Sequence, residues 1–234
     1  MRPDTKRHYY FGVGFIVAPA PVFSAAALLK FEARLADPNV GITFDNRQRD
    51  ESGTSLLVRN SPPLTVHLTT PAPQVGQLAV MSVEPRGLPE EFISDAEDIV
   101  QAFRDVWPGP FQVVHRDCTV RYLYAVGGEH SFQYLWEKRL HQASGELQLL
   151  ERPILGGGIR FVLPPQDAAD EAIIEVKIES LLRDPSQLFV ESQFAWRQPT
   201  SPEIGFDAGA MIEAVEAYTN GPLTRFILPE QSHG

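Results

Sequence analysis

The sequence predicts an α+β protein in which two similar units form a mostly antiparallel, curved sheet with helices on one face. Three observations lead to this prediction. Runs in which apolar and polar residues alternate, as in half-buried strands, fill much of the chain. Longer segments repeat apolar residues at the 3.6 spacing of a helix. Two of those helical segments precede the same glycine and proline breakers. We therefore expect units over residues 1–110 and 111–234, each running strand, helix, four strands, helix.

Composition limits the classes of function. The 234 residues are enough for one large domain or two of roughly 100 residues, and either can bury a core without metal or disulfide. The single cysteine, Cys118, excludes an intramolecular disulfide and a cysteine-rich zinc site. The formal net charge of −10 repels a polyanion, so direct nucleic-acid binding is disfavoured.

The N-terminal region raises the question of location. Basic residues precede an apolar stretch over Tyr9 to Ala20, which suggests a signal peptide, but Gly12 and Gly14 alternate as in a strand and no small-residue cleavage site follows. The apolar stretches are also too short for a membrane helix of about 20 residues. With one cysteine, this fits a reducing compartment, so we expect a cytoplasmic protein without a membrane partner.

The elements of the first unit follow in order along the chain. Tyr9, Phe11, Val13 and Phe15 alternate on one face of a first strand, and a serine opens a helix over Ser24 to Ala36. Four strands bounded by turn residues are expected next, at Gly41 to Asn46, Ser55 to Arg59, Leu64 to Thr70 and Gln77 to Val83. A helix over Asp95 to Phe103, with Ser94 and Glu97 as a capping box, closes the unit.

The second unit repeats this order. Cys118, Val120, Tyr122 and Tyr124 share one face of its first strand. The helix over Ser131 to Ala143 has an apolar stripe, from which we expect Trp136 and Leu140 to pack on the sheet. Four strands follow, at Glu146 to Glu151, Gly158 to Leu163, Ala172 to Leu181 and Leu188 to Trp196. The last helix is capped by Asp207.

A gapless comparison of the two halves suggests a duplication. Setting Asp95 on Asp207 places Gly109-Pro110 on Gly221-Pro222, and the same offset sets Tyr10 on Tyr122. Both helices are expected to end at this breaker. Identity between the halves is modest, so chance similarity is the alternative.

The order of elements resembles the duplicated architecture of the TATA-binding protein family. The resemblance implies two units side by side in one sheet, and it covers nearly the whole chain as an order of elements only. DNA binding does not carry over, because that family inserts phenylalanine wedges from a basic concave face. Here the outward-facing positions of the two most regularly alternating strands of the second unit form a mixed acidic surface. We take it as the predicted interaction surface: Glu175, Lys177, Glu179, Glu191 and Gln193. The segments around Lys177 and Leu188 also resemble a loosely defined group of uncharacterised bacterial proteins.

Three consecutive glycines, Gly156 to Gly158, pose the question of a phosphate site. A phosphate-binding glycine loop leads into a helix, whose free N–H groups point at the anion. Here an apolar, β-prone run follows and ends at Pro164-Pro165. The glycines therefore predict a turn or bulge entering a strand, with positive φ or the close approach of a partner strand or another chain.

No other cluster predicts chemistry. His115 and Cys118 point to opposite faces of an extended chain, and His130 and His141 lie three helical turns apart, too far for one metal ion. Acidic residues from Glu90 to Asp98 complement a helix dipole. Motifs of nucleotide, serine-hydrolase and metal enzymes are absent from the sequence, so we predict no catalytic, cofactor or metal residues and no cofactor.

These observations favour a non-enzymatic protein-interaction module, a subunit or adaptor of a larger bacterial assembly that binds a protein partner or forms a homo-oligomer. One alternative is a binder of an apolar small molecule between sheet and helices, lined by Phe132, Trp136, Phe161, Phe194 and Trp196. A second alternative is a nucleic-acid-associated factor that acts through a partner. An enzyme that lacks known motifs is less favoured.

Overall fold

The part of the chain that the structure describes forms one antiparallel sheet of nine strands, in the order β2-β3-β4-β5-β1-β6-β9-β8-β7. The computed structural model describes residues 3–50, 54–127, 130–166 and 171–228. The strands are β1 (Arg7–Ala18), β2 (Asn46–Arg49), β3 (Ser55–Asn60), β4 (Pro63–Ala72), β5 (Val75–Val83), β6 (Gln112–Ala125), β7 (Gly158–Leu163), β8 (Ala172–Ser180) and β9 (Gln187–Trp196). The predicted α+β class is confirmed.

Strands β1 and β6 lie side by side at the centre, with Gly12 opposite Thr119. Beyond β1 the sheet adds four strands, and beyond β6 it adds three. The β6 side has one strand fewer because the segment Ser144–Leu150 forms a 3-10 helix. The strand predicted at Glu146 to Glu151 is therefore wrong. Leu149 and Leu150 are exposed there, so their apolar side chains do not pair into a sheet face. The second half of the sheet is therefore one strand narrower than the first.

The strand predicted at Gly41 to Asn46 is also wrong. Strand β2 begins only at Asn46, and the residues before it are irregular. Ile42 and Phe44 are nevertheless buried in the core. Their apolar alternation thus reflects burial beneath the helices rather than pairing in the sheet.

The helices pack on one face of the sheet and share its core. They are α1 (Ala25–Leu35), α2 (Pro89–Val106), α3 (Ser131–Gln133), α4 (Pro202–Gly205), α5 (Ala208–Tyr218) and α6 (Thr224–Ile227). The Ser24 hydroxyl and the Asp207 carboxylate accept N–H bonds that cap α1 and α5, as predicted. The predicted capping box of α2 is wrong, because this helix starts earlier, at a proline that suits a first helical position.

Two π-helical segments change which side chains face the core. Residues Tyr134–Arg139 continue α3 as a π-helix, in which the N–H of Leu140 donates to the carbonyl of Leu135. The wider turn directs Tyr134 and Leu135 into the core and leaves Trp136 half-buried. The prediction that Trp136 and Leu140 pack on the sheet is wrong for this reason.

The second π-helical segment, Thr219–Leu223, joins α5 to α6 and includes Pro222. The predicted end of the last helix at Gly221-Pro222 is therefore wrong, whereas α2 does end before Pro108. The two helices differ in how they meet the same pair of residues.

A bulge in β1 changes the faces of its first residues. The register shifts between His8 and Tyr10, so that Tyr9 contacts Phe189 while Tyr10 lies beside Arg121, both on the face away from the helices. The prediction that Tyr9 shares a face with Phe11 is wrong. Tyr122 faces the helices, where its hydroxyl donates to Glu216. Tyr10 and Tyr122 thus lie on opposite faces and are not equivalent, while the duplication as a whole stays a prediction.

Candidate interaction surface

The face of the sheet away from the helices, here called the open face, carries the predicted interaction surface. Glu175, Lys177 and Glu179 alternate along β8, and Glu191 and Gln193 alternate along β9. In the register of the two strands, Lys177 lies opposite Glu191 and Glu175 opposite Gln193. Cross-strand partners share a face of an antiparallel sheet, so the fold brings these five residues together.

The charges of this surface form one connected series, here called the charged row: Arg160, Glu175, Lys177, Glu191 and Arg121. Arg160 Nη2 lies 2.7 Å from Glu175 Oε2, and Lys177 Nζ lies 3.3 Å from Glu175 Oε1 and 2.6 Å from Glu191 Oε1. Arg121 Nε completes the series, 2.5 Å from Glu191 Oε2. Its guanidinium also lies 4.3 Å from the ring centroid of Tyr10. The charged row therefore crosses the sheet from β7 to β6, and Arg121 extends its contacts to Tyr10 of β1.

Pairing dominates the electrostatics of the charged row. The hydrogen bond from Arg160 lowers the pKa of Glu175, and the hydrogen bond to Glu191 raises the pKa of Lys177. Glu191 is only 4% exposed, so its carboxylate is held by Lys177 and Arg121 rather than by water. The charged row sets three cationic side chains against two carboxylates, and Glu179 on the same face of β8 brings the carboxylates to three. The predicted acidic character is thus wrong for this part of the open face.

The other part of the open face carries no such charges. Leu56 lies opposite His67 and His67 opposite Ala79, while Val58 lies opposite Thr65 and Thr65 opposite Met81. None of these six is Asp, Glu, Lys or Arg, and each is half-buried. We call them the uncharged patch: Leu56, Val58, Thr65, His67, Ala79 and Met81. The open face is therefore divided into a charged region over β6 to β9 and an uncharged region over β3 to β5.

Two glycines of β1 separate these regions. A Cβ at Gly12 would lie 2.4 Å from the Tyr10 hydroxyl oxygen, and one at Gly14 would lie 2.6 Å from Asp117 Oδ2. Tyr10 and Asp117 thus lie flat over the glycines. Burial raises the pKa of Asp117, and His115, whose Nε2 lies 3.6 Å away, opposes that shift. The centre of the open face is filled by its own side chains.

The two edges of the sheet differ in chemistry. Strand β2 reads Asn-Arg-Gln-Arg and is exposed along its length. Strand β7 reads Gly-Ile-Arg-Phe-Val-Leu, with Phe161, Val162 and Leu163 exposed by 37%, 59% and 36%. Charged residues protect an edge from pairing with other chains, whereas an apolar edge invites it. Of the two edges that the described residues form, the β7 edge is the one whose side chains leave it open to pairing.

The three glycines are explained by close packing. A Cβ at Gly158 would lie 2.4 Å from the carbonyl oxygen of Ile178, and one at Gly157 would lie 2.7 Å from the ring of Phe132. The predicted strand after them is β7, with the predicted bounds. Close approach of the neighbouring strand β8, one of the predicted reasons, is confirmed.

The aromatic residues predicted to line a ligand site do not meet in one place. Phe194 contacts Trp196 and Tyr218, and Phe161 contacts Phe226 in the helix layer. Phe132 and Trp136 stack at 6.0 Å in a surface cleft of about 330 Å³, together with His130, Arg152 and Ile154. The space between sheet and helices at Phe194 is filled by protein side chains.

The possible reactive residues lie apart. Cys118 is buried, and burial raises the pKa of its thiol well above the ordinary value. His115 faces the opposite side of the sheet beside Asp117, as predicted. His130 caps α3 by accepting the N–H of Phe132. Among the described residues no three His, Cys, Asp or Glu side chains are placed to hold a metal ion.

A partly buried polar cluster links the two halves on the helix side of the sheet. The Glu216 carboxylate of α5 accepts from Tyr122 and lies 3.2 Å from His8 Nε2 and 3.5 Å from Lys6 Nζ. Burial alone would raise the pKa of Glu216, but these hydrogen bonds and the Lys6 charge outweigh it and lower the pKa to about 2. Burial, the largest influence on Lys6, lowers the pKa of that amine. Both carboxylate oxygens of Glu216 have partners, so this cluster serves to hold α5 against β1 and β6.

Sequence reasoning missed Arg121, Arg160 and Tyr10 as parts of the open face. The pairing of β6 with β9 and of β8 with β7 makes Arg121 and Arg160 neighbours of the predicted carboxylates. The alternation of Asp117, Thr119 and Arg121 opposite the apolar positions of β6 was the available signal. Assigning their partners required the strand order.

The chain matches no family model, and it has no significant match among curated proteins. Within the described residues, no helix is long and apolar enough to cross a membrane.

Proposed function

We propose that the protein is a non-enzymatic interaction module, a subunit or adaptor of a larger bacterial assembly, whose protein partner covers the open face. The observation that carries the proposal is the uncharged patch beside the charged row. Half-buried apolar and hydroxyl side chains lie there side by side, without a helix over them.

The uncharged patch is suited to become the centre of an interface. Desolvating Leu56, Val58, Ala79 and Met81 leaves no buried charge unpaired, and interface centres are depleted of charged residues. The charged row would form the rim. Its ions are already paired within the chain, so a partner need not supply compensating charges, and it contributes orientation more than affinity.

Nucleic acid is a poorer partner for the open face. The cations of the charged row are occupied by Glu175 and Glu191, and the chain has a net charge of −10. Affinity for a polyanion requires cations that are free to replace counterions. A gel-shift titration at low salt is expected to give no shift. A shift that weakens with salt would instead support the nucleic-acid alternative.

We also propose that the two halves are related by duplication, in an arrangement like that of the TATA-binding protein family. The strand order around β1 and β6 supports it, since β5 flanks β1 and β9 flanks β6 in corresponding positions. In both halves a helix follows the last strand, α2 after β5 and α5 after β9. The second half departs from the pattern by one strand.

The interaction proposal is tested with Met81→Lys, which adds a charge to the uncharged patch. The control is Leu29→Lys on α1, an exposed position on the helix side. Affinity capture from the source organism identifies the partner, and titration calorimetry with the purified partner then measures binding. We expect Met81→Lys to weaken binding by about tenfold or more and Leu29→Lys to leave it unchanged.

Equal thermal stability of the two variants is required for this comparison. If Met81→Lys binds the partner as tightly as the wild type, the open face is not the docking surface. If Leu29→Lys weakens binding of the captured protein and Met81→Lys does not, the docking surface lies on the helix side.

A second candidate function is favoured by the cleft between Phe132 and Trp136. Its volume of about 330 Å³ is at the small end of ligand pockets, and it offers two stacked rings with Arg152 beside them. Native mass spectrometry of the purified protein would reveal a retained ligand, and Trp136→Ala should release it. A protein mass equal to that of the chain alone would count against this candidate.

A further inference from the structure

Counted outward from the centre, β7 is the third strand beyond β6. The third strand beyond β1 is β3, and its outer edge is covered by β2. Four strands lie beyond β1, ending in β2, whereas three lie beyond β6, ending in β7. Strand β2 pairs with β3 and presents a polar, charged edge. The chain that precedes β7 forms a 3-10 helix instead of a further strand. The sheet therefore ends on an apolar strand at β7.

The free side of β7 has the properties of a pairing strand. An edge strand directs a row of unpaired N–H and C=O groups outward. Phe161, Val162 and Leu163 are exposed by 37%, 59% and 36%, and neither lysine nor proline interrupts Gly158–Leu163. Its one charge, Arg160, is bound to Glu175. Apart from Arg160, whose guanidinium is held by Glu175, the strand carries none of the usual protections of an edge.

We propose that β7 pairs antiparallel with β7 of a second copy of this chain, across a two-fold axis perpendicular to the sheet at Phe161. Such an axis keeps the open faces of both copies on the same side. Partners in an antiparallel pair share a face, so the register must join residues of equal parity. Phe161 then lies opposite its own copy, Ile159 lies opposite Leu163, and Arg160 lies opposite Val162.

Side-chain chemistry selects this register over its neighbour. A register centred on Arg160 would place two guanidinium groups directly opposite each other, which is unfavourable. The register centred on Phe161 instead pairs apolar residues on the helix side. Its five residues also fit the space between Gly158 and the Pro164-Pro165 pair that ends the strand. The pairing would join the two nine-stranded sheets into one continuous sheet.

The docking of a partner on the open face is independent of this dimer, because β7 pairing uses backbone groups at the sheet edge. Each copy has a net charge of −10, so long-range repulsion opposes association. We therefore expect the dimer to become tighter as salt is added, since salt screens that repulsion.

The test is sedimentation velocity of the full chain over a wide range of protein concentration, for wild type and three variants. Val162→Lys is the decisive one. Within its own chain Val162 lies opposite Glu175, so a lysine there is accommodated. In the dimer that lysine faces Arg160 of the second copy. We expect dimerisation about tenfold weaker, because symmetry applies the repulsion twice.

Two further variants fix the register. Val162→Glu places a carboxylate opposite Glu175 of its own chain, where Arg160 and Lys177 already neutralise that group, and opposite Arg160 of the second copy, so we expect it to retain the dimer. Gln48→Lys on β2 is the matched control at the opposite edge and should dimerise as the wild type does. Circular dichroism establishes that each variant folds.

If the wild type stays monomeric at every concentration, the proposal is overturned, and a different protein becomes the candidate that pairs with β7. Equal dimerisation of Val162→Lys and Gln48→Lys also overturns it. If Val162→Glu and Val162→Lys are equally impaired, pairing in this register is refuted.

Discussion

The two halves of the sheet reach stability by different means. On the β1 side, regular helices α1 and α2 pack through an aromatic cluster, in which Phe103 contacts Phe23, Trp107 and Phe111. On the β6 side, the helices include π turns, a 3-10 helix replaces a strand, and charges are paired across the open face. The more regular half has the polar edge, and the irregular half has the apolar one.

This difference indicates where interactions with other molecules are easiest to accommodate. The first half buries its apolar residues against α1 and α2, with Phe206 of the second half completing the cluster, and its edge strand carries two arginines. The second half leaves exposed leucines and an apolar strand near its edge. Local irregularity and exposed apolar surface occur together in the half that lacks a strand.

The largest expected effect is in the aromatic cluster of the first half. Phe103 is fully buried and touches four aromatic rings, including Phe206. We expect Phe103→Ala to lower the free energy of unfolding by about 3–5 kcal/mol, as large core truncations do. Urea denaturation measures it. A loss as small as that of an exposed residue would contradict the view that this cluster stabilises the first half.

Glu216, which joins the halves, comes next. Glu216→Gln removes the charge that Lys6 and His8 face, and we expect it to cost about 2 kcal/mol at neutral pH, below a fully buried pair because the site is partly open to water. The pKa of Glu216 is lowered from 4.5 to about 2, so its stabilisation is complete above pH 4.5 and is lost as the pH falls toward 2.

Urea denaturation of wild type and Glu216→Gln from pH 7 downward checks this. The stability difference should shrink through that acid range. A difference that stays constant down to pH 2 would mean that the carboxylate charge is not what stabilises the cluster.

A smaller effect is expected at Gly158, the first residue of β7. Gly158→Ala would press a methyl group against the Ile178 carbonyl, and we expect a loss of about 1–2 kcal/mol. Gly145→Ala is the control, because a Cβ there meets no atom within 4 Å. Thermal denaturation of both compares them. Equal stability of the two variants would show that β7 can shift away from β8.

Trp136 has the smallest expected effect. It is half-buried in the cleft of the second half, so we expect Trp136→Ala to cost about 1 kcal/mol or less. Acrylamide quenching of the tryptophan fluorescence is expected to decrease in Trp136→Ala, because only Trp107 and Trp196 then emit. A loss equal to that of Phe103→Ala would erase the difference between the halves.

Sequence patterns predicted most strands but not which strands lie next to one another in the sheet. The bounds of β7 and the faces of β8 followed from alternation alone, because alternating burial is a local property. The 3-10 helix at Ser144–Leu150, the π turns and the bulge near Tyr9 could not be predicted, since each depends on packing against distant strands.

The candidate surface was predictable to a similar degree. Glu175, Lys177 and Glu191 could be placed on one face, but their neutralisation by Arg160 and Arg121 depends on strand order. The uncharged patch was missed because the notable residues in a sequence are the charged ones. Its Thr65 and Met81 become informative only when they are adjacent.

The central position of β1 has a consequence for synthesis of the chain. Of the nine described strands, β1 is made first, and it pairs with β5 and β6, which are made much later; at about 5–20 residues per second β6 follows after several seconds. Until β5 is made, Phe11, Val13 and Phe15 lack both neighbouring strands, and until β6 is made they lack one of them. Among the described strands, β1 is therefore the one that waits longest for its neighbours and most needs protection from aggregation, and any substitution that delays the β1–β6 pairing prolongs its exposure.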